Sequence, residues 1–154
     1  MYVTVGIPGC GKTTYCKYAS KNHGGVHISR DEIRFALLNE TDSYFARETE
    51  VWNNFISTIQ KALDNPGIRT IYVDATHITQ SSRDKLLNAL TISDDVDIYW
   101  LAFVTGLETA LERNSNRAGR AFVPEKTIKN MYSSLTYPIN NVIIIDSAGV
   151  DKSE

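Results

Sequence analysis

The chain has 154 residues, of which 42% are apolar and 22% charged, and a formal net charge of −2. This length suits one domain with a hydrophobic core, and the composition excludes wholesale disorder. The near-neutral balance excludes a broad basic surface for nucleic acid, though not a small basic pocket for one strand end.

Met1 leads directly into a short strand, Tyr2 to Val5, with no basic leader of the secretory type. A glycine-rich turn follows, then a helix from about Lys12 to Lys21. The two cysteines, Cys10 and Cys16, fall in this region; they are too few and too oddly spaced for a zinc site or a disulfide framework, and read as reduced thiols. Gly24 and Gly25 break the chain before a second strand, Val26 to Ile28. Ser29-Arg30-Asp31-Glu32 then has the form of a capping box opening a helix. A longer helix is predicted from Tyr44 to Leu63, with Trp52, Phe55, Ile56, Ile59 and Leu63 at core spacing.

Asn65-Pro66-Gly67 reads as a turn, and Thr70 to Val73 as a third strand ending at Asp74. Ser82 to Leu90 is a further helix. The most apolar run, Val96 to Val104, carries Asp97 and falls short of membrane length, which makes it a buried fourth strand. Leu107 to about Asn114 is helical. Pro124 opens a helix carrying Ile128, Met131, Tyr132 and Leu135 on one face, Asn141 to Ile145 is a last strand, and the polar tail from Ser147 is expected to fray. Strands alternating with helices predict an α/β fold: a parallel sheet of about five strands with helices on both faces, in one domain spanning 1–154. The chain reads as cytoplasmic, with no membrane partner.

Gly6-Ile7-Pro8-Gly9-Cys10-Gly11-Lys12-Thr13 matches G-x-x-x-x-G-K-[ST] in full, between a strand and a helix. Glycines let backbone N–H groups turn inward around phosphates without Cβ clashes, and the helix beyond points its positive end at the same anions. Lys12 reaches the β- and γ-phosphates in such a loop, and the Thr13 hydroxyl ligates Mg²⁺; Gly6, Gly9, Cys10, Gly11 and Thr14 complete the cradle. The expectation is a P-loop phosphotransferase using ATP or another NTP with Mg²⁺.

Ligands in open α/β sheets gather at the carboxyl ends of strands, where the second strand leads to Asp31 and Arg34 and the third to Asp74, Thr76 and His77. Asp31 is placed to orient an acceptor hydroxyl and take its proton, and Arg34, one turn on, to grip a substrate phosphate. Helix-dipole compensation and an i,i+3 ion pair explain the same two residues equally well. Asp74 stands where a Walker B carboxylate holds a Mg²⁺-bound water, and also where a plain strand-end aspartate would stand. His77 is a lone loop histidine that either touches substrate or lies at the surface. Arg113, Arg117 and Arg120, with Asn114 and Gly119, form a basic, breakable segment suited to a lid around 113–123. Arg117 would offset charge at the β/γ bridge there; the alternative is a solvated basic helix end.

The combination G-I-P-G-C-G-K-T-T, S-R-D-E-I-R, D-A-T and R-N-S-N-R-A-G-R-A-F-V-P, followed by I-x-x-M-Y-x-S, resembles the P-loop polynucleotide 5′-hydroxyl kinase family, in particular the kinase domain of the bacteriophage enzymes. The motifs keep the same order from Met1 to about Leu135. The resemblance implies transfer of the ATP γ-phosphate to the 5′-hydroxyl end of DNA or RNA. Asp31 would be the general base, Arg34 the contact to the phosphate 3′ of the reacting nucleoside, Lys12 and Thr13 the triphosphate and Mg²⁺ ligands, Asp74 a support, and Arg113 and Arg117 parts of the lid. It also implies host cytoplasm if the chain is phage-encoded, and end repair beside a separate ligase. Two departures stand out: no D-x-D-G-T motif follows, so no phosphatase domain is expected, and His77 occupies a position where the phage pattern favours asparagine. The competing readings are a P-loop kinase of a small molecule, such as a nucleoside, sugar or antibiotic, and a non-catalytic nucleotide switch.

Overall fold

The computed structural model describes residues 1–146, and the tail expected to fray lies outside them. Five strands form one parallel sheet: β1 (Tyr2–Val5), β2 (Val26–Ser29), β3 (Ile71–Asp74), β4 (Tyr99–Val104) and β5 (Val142–Asp146), in the order β2-β3-β1-β4-β5. Six helices accompany them: α1 (Lys12–His23), α2 (Arg30–Leu37), α3 (Glu48–Leu63), α4 (Gln80–Asn88), α5 (Leu107–Ser115) and α6 (Glu125–Ser134), with one 3₁₀ turn at Gly119–Ala121. Among the described residues no helix is long and apolar enough to cross a membrane.

Alternate residues of the central strands feed two cores, as the period of two in a strand requires. Val3, Val5, Val73 and Trp100 pack with Phe55, Ile59 and Leu86 of α3 and α4. Tyr72, Leu101 and Phe103 pack on the opposite face with Cys16, Ala19, Ala110 and Ile128 of α1, α5 and α6. Both faces of β1, β3 and β4 are thereby covered, which explains why these strands read as near-continuous apolar runs.

Three elements start two or more residues from the expected position. Helix α3 starts at Glu48 rather than Tyr44, because residues 43–47 form a turn closed by Ala46 N–H donating to Ser43 O (3.0 Å) and Arg47 donating to Leu37 O. Strand β4 starts at Tyr99 rather than Val96, its pairing opening with Tyr99 N–H donating to Met1 O (2.9 Å); Val96 and Ile98 pack on the core without joining the sheet. Helix α4 starts at Gln80, capped reciprocally by Thr79 and Ser82.

The sheet order places β1 between β3 and β4, so the connections leaving β1, β2 and β3 open onto one crevice. Hydrogen bonds stitch that crevice. Gly6 N–H donates to Thr76 O (2.9 Å), and the Thr4 hydroxyl donates to Ala75 O (2.7 Å) while accepting from Ala75 N–H (3.1 Å).

Candidate active site

The loop between β1 and α1 carries two left-handed residues, Gly9 (φ 84°) and Gly11 (φ 94°), a backbone that side chains resist. At Gly9 a Cβ would also lie 2.5 Å from Ala110 O, so the loop closes against α5 only because no Cβ is there. Gly11 is the N-cap of α1 and offers no side-chain cap, leaving the first N–H groups of α1 for an anion. Lys12, 8% exposed, donates from Nζ to Ile7 O at 2.8 Å.

A cleft of about 740 Å³ opens beside this loop. Pro8, Lys12 and Thr13 line its donor end, Asp74, Ala75 and Thr76 its floor, and Asp31, Arg34, Tyr44 and Glu48 its acceptor end, while Arg117, Arg120 and Phe122 overhang it. The structure thus brings together Lys12, Thr13, Asp31, Arg34, Asp74, Thr76 and Arg117. Gly6, Gly9, Cys10 and Gly11 shape the loop from behind, and Thr14 is exposed on α1. Arg113 lies under the loop rather than over the cleft, donating to Gly9 O at 3.4 Å.

On the floor, Asp74 Oδ2 accepts from the Thr13 hydroxyl and from His27 Nε2–H, both at 2.8 Å. Asp74 is 3% exposed; burial pushes its carboxyl up, but His27, Lys12 and Thr13 together outweigh burial and hold it below the usual carboxylate range. His77 is absent from the cleft wall. It sits buried beneath it at φ 42°, its Nδ1–H donating to Thr4 O at 2.9 Å, and burial pulls its pKa down to about 4. It is a neutral core histidine holding β1 to the 75–77 connection.

At the acceptor end, Ser29 caps α2 by accepting from Glu32 N–H (3.2 Å), which presents Asp31 and Arg34 on one helical face. Arg34 is 3% exposed. It donates to Glu48 through Nε (3.0 Å) and Nη2, to the Tyr44 hydroxyl (2.6 Å) through Nη1, and from the same nitrogen to Asp31 Oδ1. The Tyr44 hydroxyl in turn donates to Asp31 Oδ1 (2.6 Å), and burial together with that carboxylate raises its pKa, keeping it protonated. Asp31 Oδ1 is therefore saturated, whereas Oδ2 carries no hydrogen bond among the described residues. Glu48 also accepts from Arg30 (3.0 Å).

Three residues of this constellation escaped sequence reasoning. His27 is an ordinary mid-strand residue, and Tyr44 and Glu48 were absorbed into the predicted helix as polar positions. A carboxylate in the first turn of a helix is expected on dipole grounds alone, so Glu48 carries no separate signal. From the overhanging segment, Arg120 donates to Phe35 O (3.2 Å) and Leu38 O (3.4 Å) at the end of α2, tying the segment 117–123 to the acceptor side.

Solved structures share this fold. The structure is similar to a gluconokinase from Sinorhizobium meliloti 1021, with TM-score 0.65 and 17% identity, covering 96% of this chain and 82% of that one. A sugar kinase from Janibacter sp. HTCC2649 matches with TM-score 0.64 and 19% identity, covering 95% and 84%. A chain of the Pnkp1/Rnl/Hen1 RNA repair complex matches with TM-score 0.72 and 22% identity over 87% of this chain, which spans 43% of that one. At these identities the likeness is one of fold. A search of curated protein sequences returned no match. Residues 1–138 match the family model AAA_33, described as an AAA domain, and the chain therefore belongs to that family.

Proposed function

We propose that the protein is a polynucleotide 5′-hydroxyl kinase, moving the γ-phosphoryl group of ATP to the 5′-hydroxyl end of DNA or RNA. The observation that carries this reading is the locked cluster of Asp31, Arg34, Tyr44 and Glu48 at the acceptor end of the cleft. It presents one unpartnered carboxylate oxygen for a hydroxyl, beside a buried arginine whose engaged donors leave one N–H on Nη2 for a neighbouring phosphate.

The Thr13 hydroxyl and Asp74 carboxylate, adjacent hard oxygen donors on the cleft floor, fit a Mg²⁺ ion, which when bound neutralises triphosphate charge. In the transfer step the acceptor hydroxyl gives its proton to Asp31 Oδ2 as its oxygen bonds to the γ-phosphorus. The bond from that phosphorus to the β,γ-bridging oxygen breaks, and ADP leaves. Lys12 and the N–H groups of the loop take up charge on the phosphates, and Arg117 meets the β/γ bridge when the lid around 113–123 closes. Action beside a separate ligase in the cytoplasm fits this activity.

A second reading, phosphorylation of a small neutral acceptor such as a sugar or nucleoside, is favoured by Glu40 and Asp42, carboxylates at the acceptor end that would repel a polyanionic strand. The deciding assay is transfer of labelled γ-phosphate with Mg²⁺ to 5′-hydroxyl DNA and RNA oligonucleotides, beside nucleosides and sugars. Labelled oligonucleotides support the first reading. Label only in a small acceptor replaces it with the second.

A further inference from the structure

Tyr72 and Asp74 face the same side of β3, and their neighbour His27 pairs with Tyr72 across the sheet on that side. Helix α1 covers this face and sets Cys16 into it, one turn beyond Thr13. Cys16 Sγ, a His27 ring nitrogen and an Asp74 carboxylate oxygen consequently lie within 4.8 Å of one another. Cys16 is 0% exposed, and the side chains of His27 and Asp74 are 9% and 4% exposed. No step of the proposed transfer uses the thiol.

A thiolate, an imidazole and a carboxylate are the donor set of a borderline-soft, tetrahedral cation and not of Mg²⁺, which demands oxygen ligands. Charge agrees: a divalent ion with one thiolate, one carboxylate and neutral imidazole sums to zero, the condition for burying an ion at modest cost. Entry is through the cleft floor, which Thr13 and Asp74 line. A thiol binds metal as the thiolate, so loading the site displaces the Cys16 proton.

We propose that Cys16, His27 and Asp74 form an inhibitory site for a thiophilic divalent cation, typified by Zn²⁺. On binding, a metal–sulfur bond forms and the thiol proton leaves to solvent. The His27 proton moves to Nδ1, freeing the Nε2 lone pair for the ion, and Asp74 Oδ2 turns from Thr13 and His27 to the metal. Thr13 loses its carboxylate partner, and the triphosphate end of the cleft loses its Mg²⁺-binding geometry. The inhibitory consequence rests on the kinase reading; the metal site does not.

The test uses the full chain, freed of metal and titrated with Co²⁺. A thiolate-to-cobalt charge-transfer absorption is expected in the unaltered protein and in Cys10→Ala, and its loss in Cys16→Ser. Absence of the band in the unaltered protein, or its persistence in Cys16→Ser, overturns the site. In the transfer assay Cys16→Ser is expected to keep its activity and to need at least about 100-fold more Zn²⁺ for half-inhibition, beyond what losing an outer partner costs. Equal Zn²⁺ sensitivity overturns the inhibitory role. A protein that phosphorylates nothing fails the function proposed above, and the cobalt spectrum still decides the site.

Discussion

Replacing Glu48 with glutamine isolates what positions the acceptor end. Glu48 accepts two charge-assisted bonds from buried Arg34 and one from Arg30, whose guanidinium also stacks 5.3 Å from the Trp52 ring centroid. Breaking a fully buried pair costs ~3–5 kcal/mol. Glu48 keeps 32% of its side chain exposed, and glutamine retains one acceptor oxygen, so screening and partial replacement lower the expected loss to about 2 kcal/mol. For a chain of this size that is a fall in Tm of about 4–8 °C. Arg34, no longer held from behind, lets Asp31 drift, and misplacement of about 1 Å costs on the order of 100-fold in transfer. Thermal unfolding followed by circular dichroism, with kcat/KM on the best acceptor, reads both effects. Glu50→Gln is the control: the exposed Glu50 carboxylate pairs with Arg47 at the N-cap of α3, outside the Arg34 cluster, and should change neither quantity. If Glu48→Gln matches the unaltered protein in Tm and kcat/KM, the network is ornamental and the argument from it collapses.

Asp31→Asn should lower transfer by at least about 100-fold while leaving ATP affinity within a factor of a few, measured by calorimetry; near-normal turnover would remove Asp31 as the base. Gly9→Ala meets both a left-handed φ and Ala110 O at 2.5 Å, so loss of nucleotide binding by at least about tenfold is expected, with about 1–2 kcal/mol of stability gone. His77, with a folded pKa of about 4 against 6.5 for the free side chain, binds its proton more readily when unfolded. Its contribution to stability is therefore complete above pH 6.5 and lost progressively as pH falls toward 4, amounting to about 3 kcal/mol. Urea midpoints between pH 7 and 4 should show this slope and His77→Asn should flatten it; an unchanged slope would assign the acid sensitivity elsewhere.

The contrast between what could and could not be read from the chain has a physical pattern. The phosphate loop was legible because every fixed residue type there answers a local demand: positive φ, close approach of backbone, one cation, one hydroxyl. Asp31 and Asp74 were legible because strand ends are where a parallel sheet gathers its ligands, although spacing alone left their structural alternatives open. His77 shows the limit. Loop position suggested surface or substrate, yet its ring fills the space beneath the 75–77 connection, and only the sheet order makes that space a core. Glu48 and His27 gain their roles from side chains 14 and 47 residues away, at distances no local pattern encodes.

The connection between α2 and α3 has a consequence for how acceptor choice could change. Residues 38–47 supply Glu40, Asp42, Tyr44 and Phe45 to the cleft, while the residues proposed to handle triphosphate follow β1 and β3 or belong to the far overhang. The segment is held at its two ends, by Leu38 N–H on Arg34 O and by Arg47 on Leu37 O, and between them by the Tyr44 hydroxyl on Asp31 and Arg34. The two ends of the cleft are thus lined largely by different segments of the chain. On the proposed function, exchanging this segment around a retained Tyr44 would reshape the acceptor end and leave the glycine-rich loop untouched.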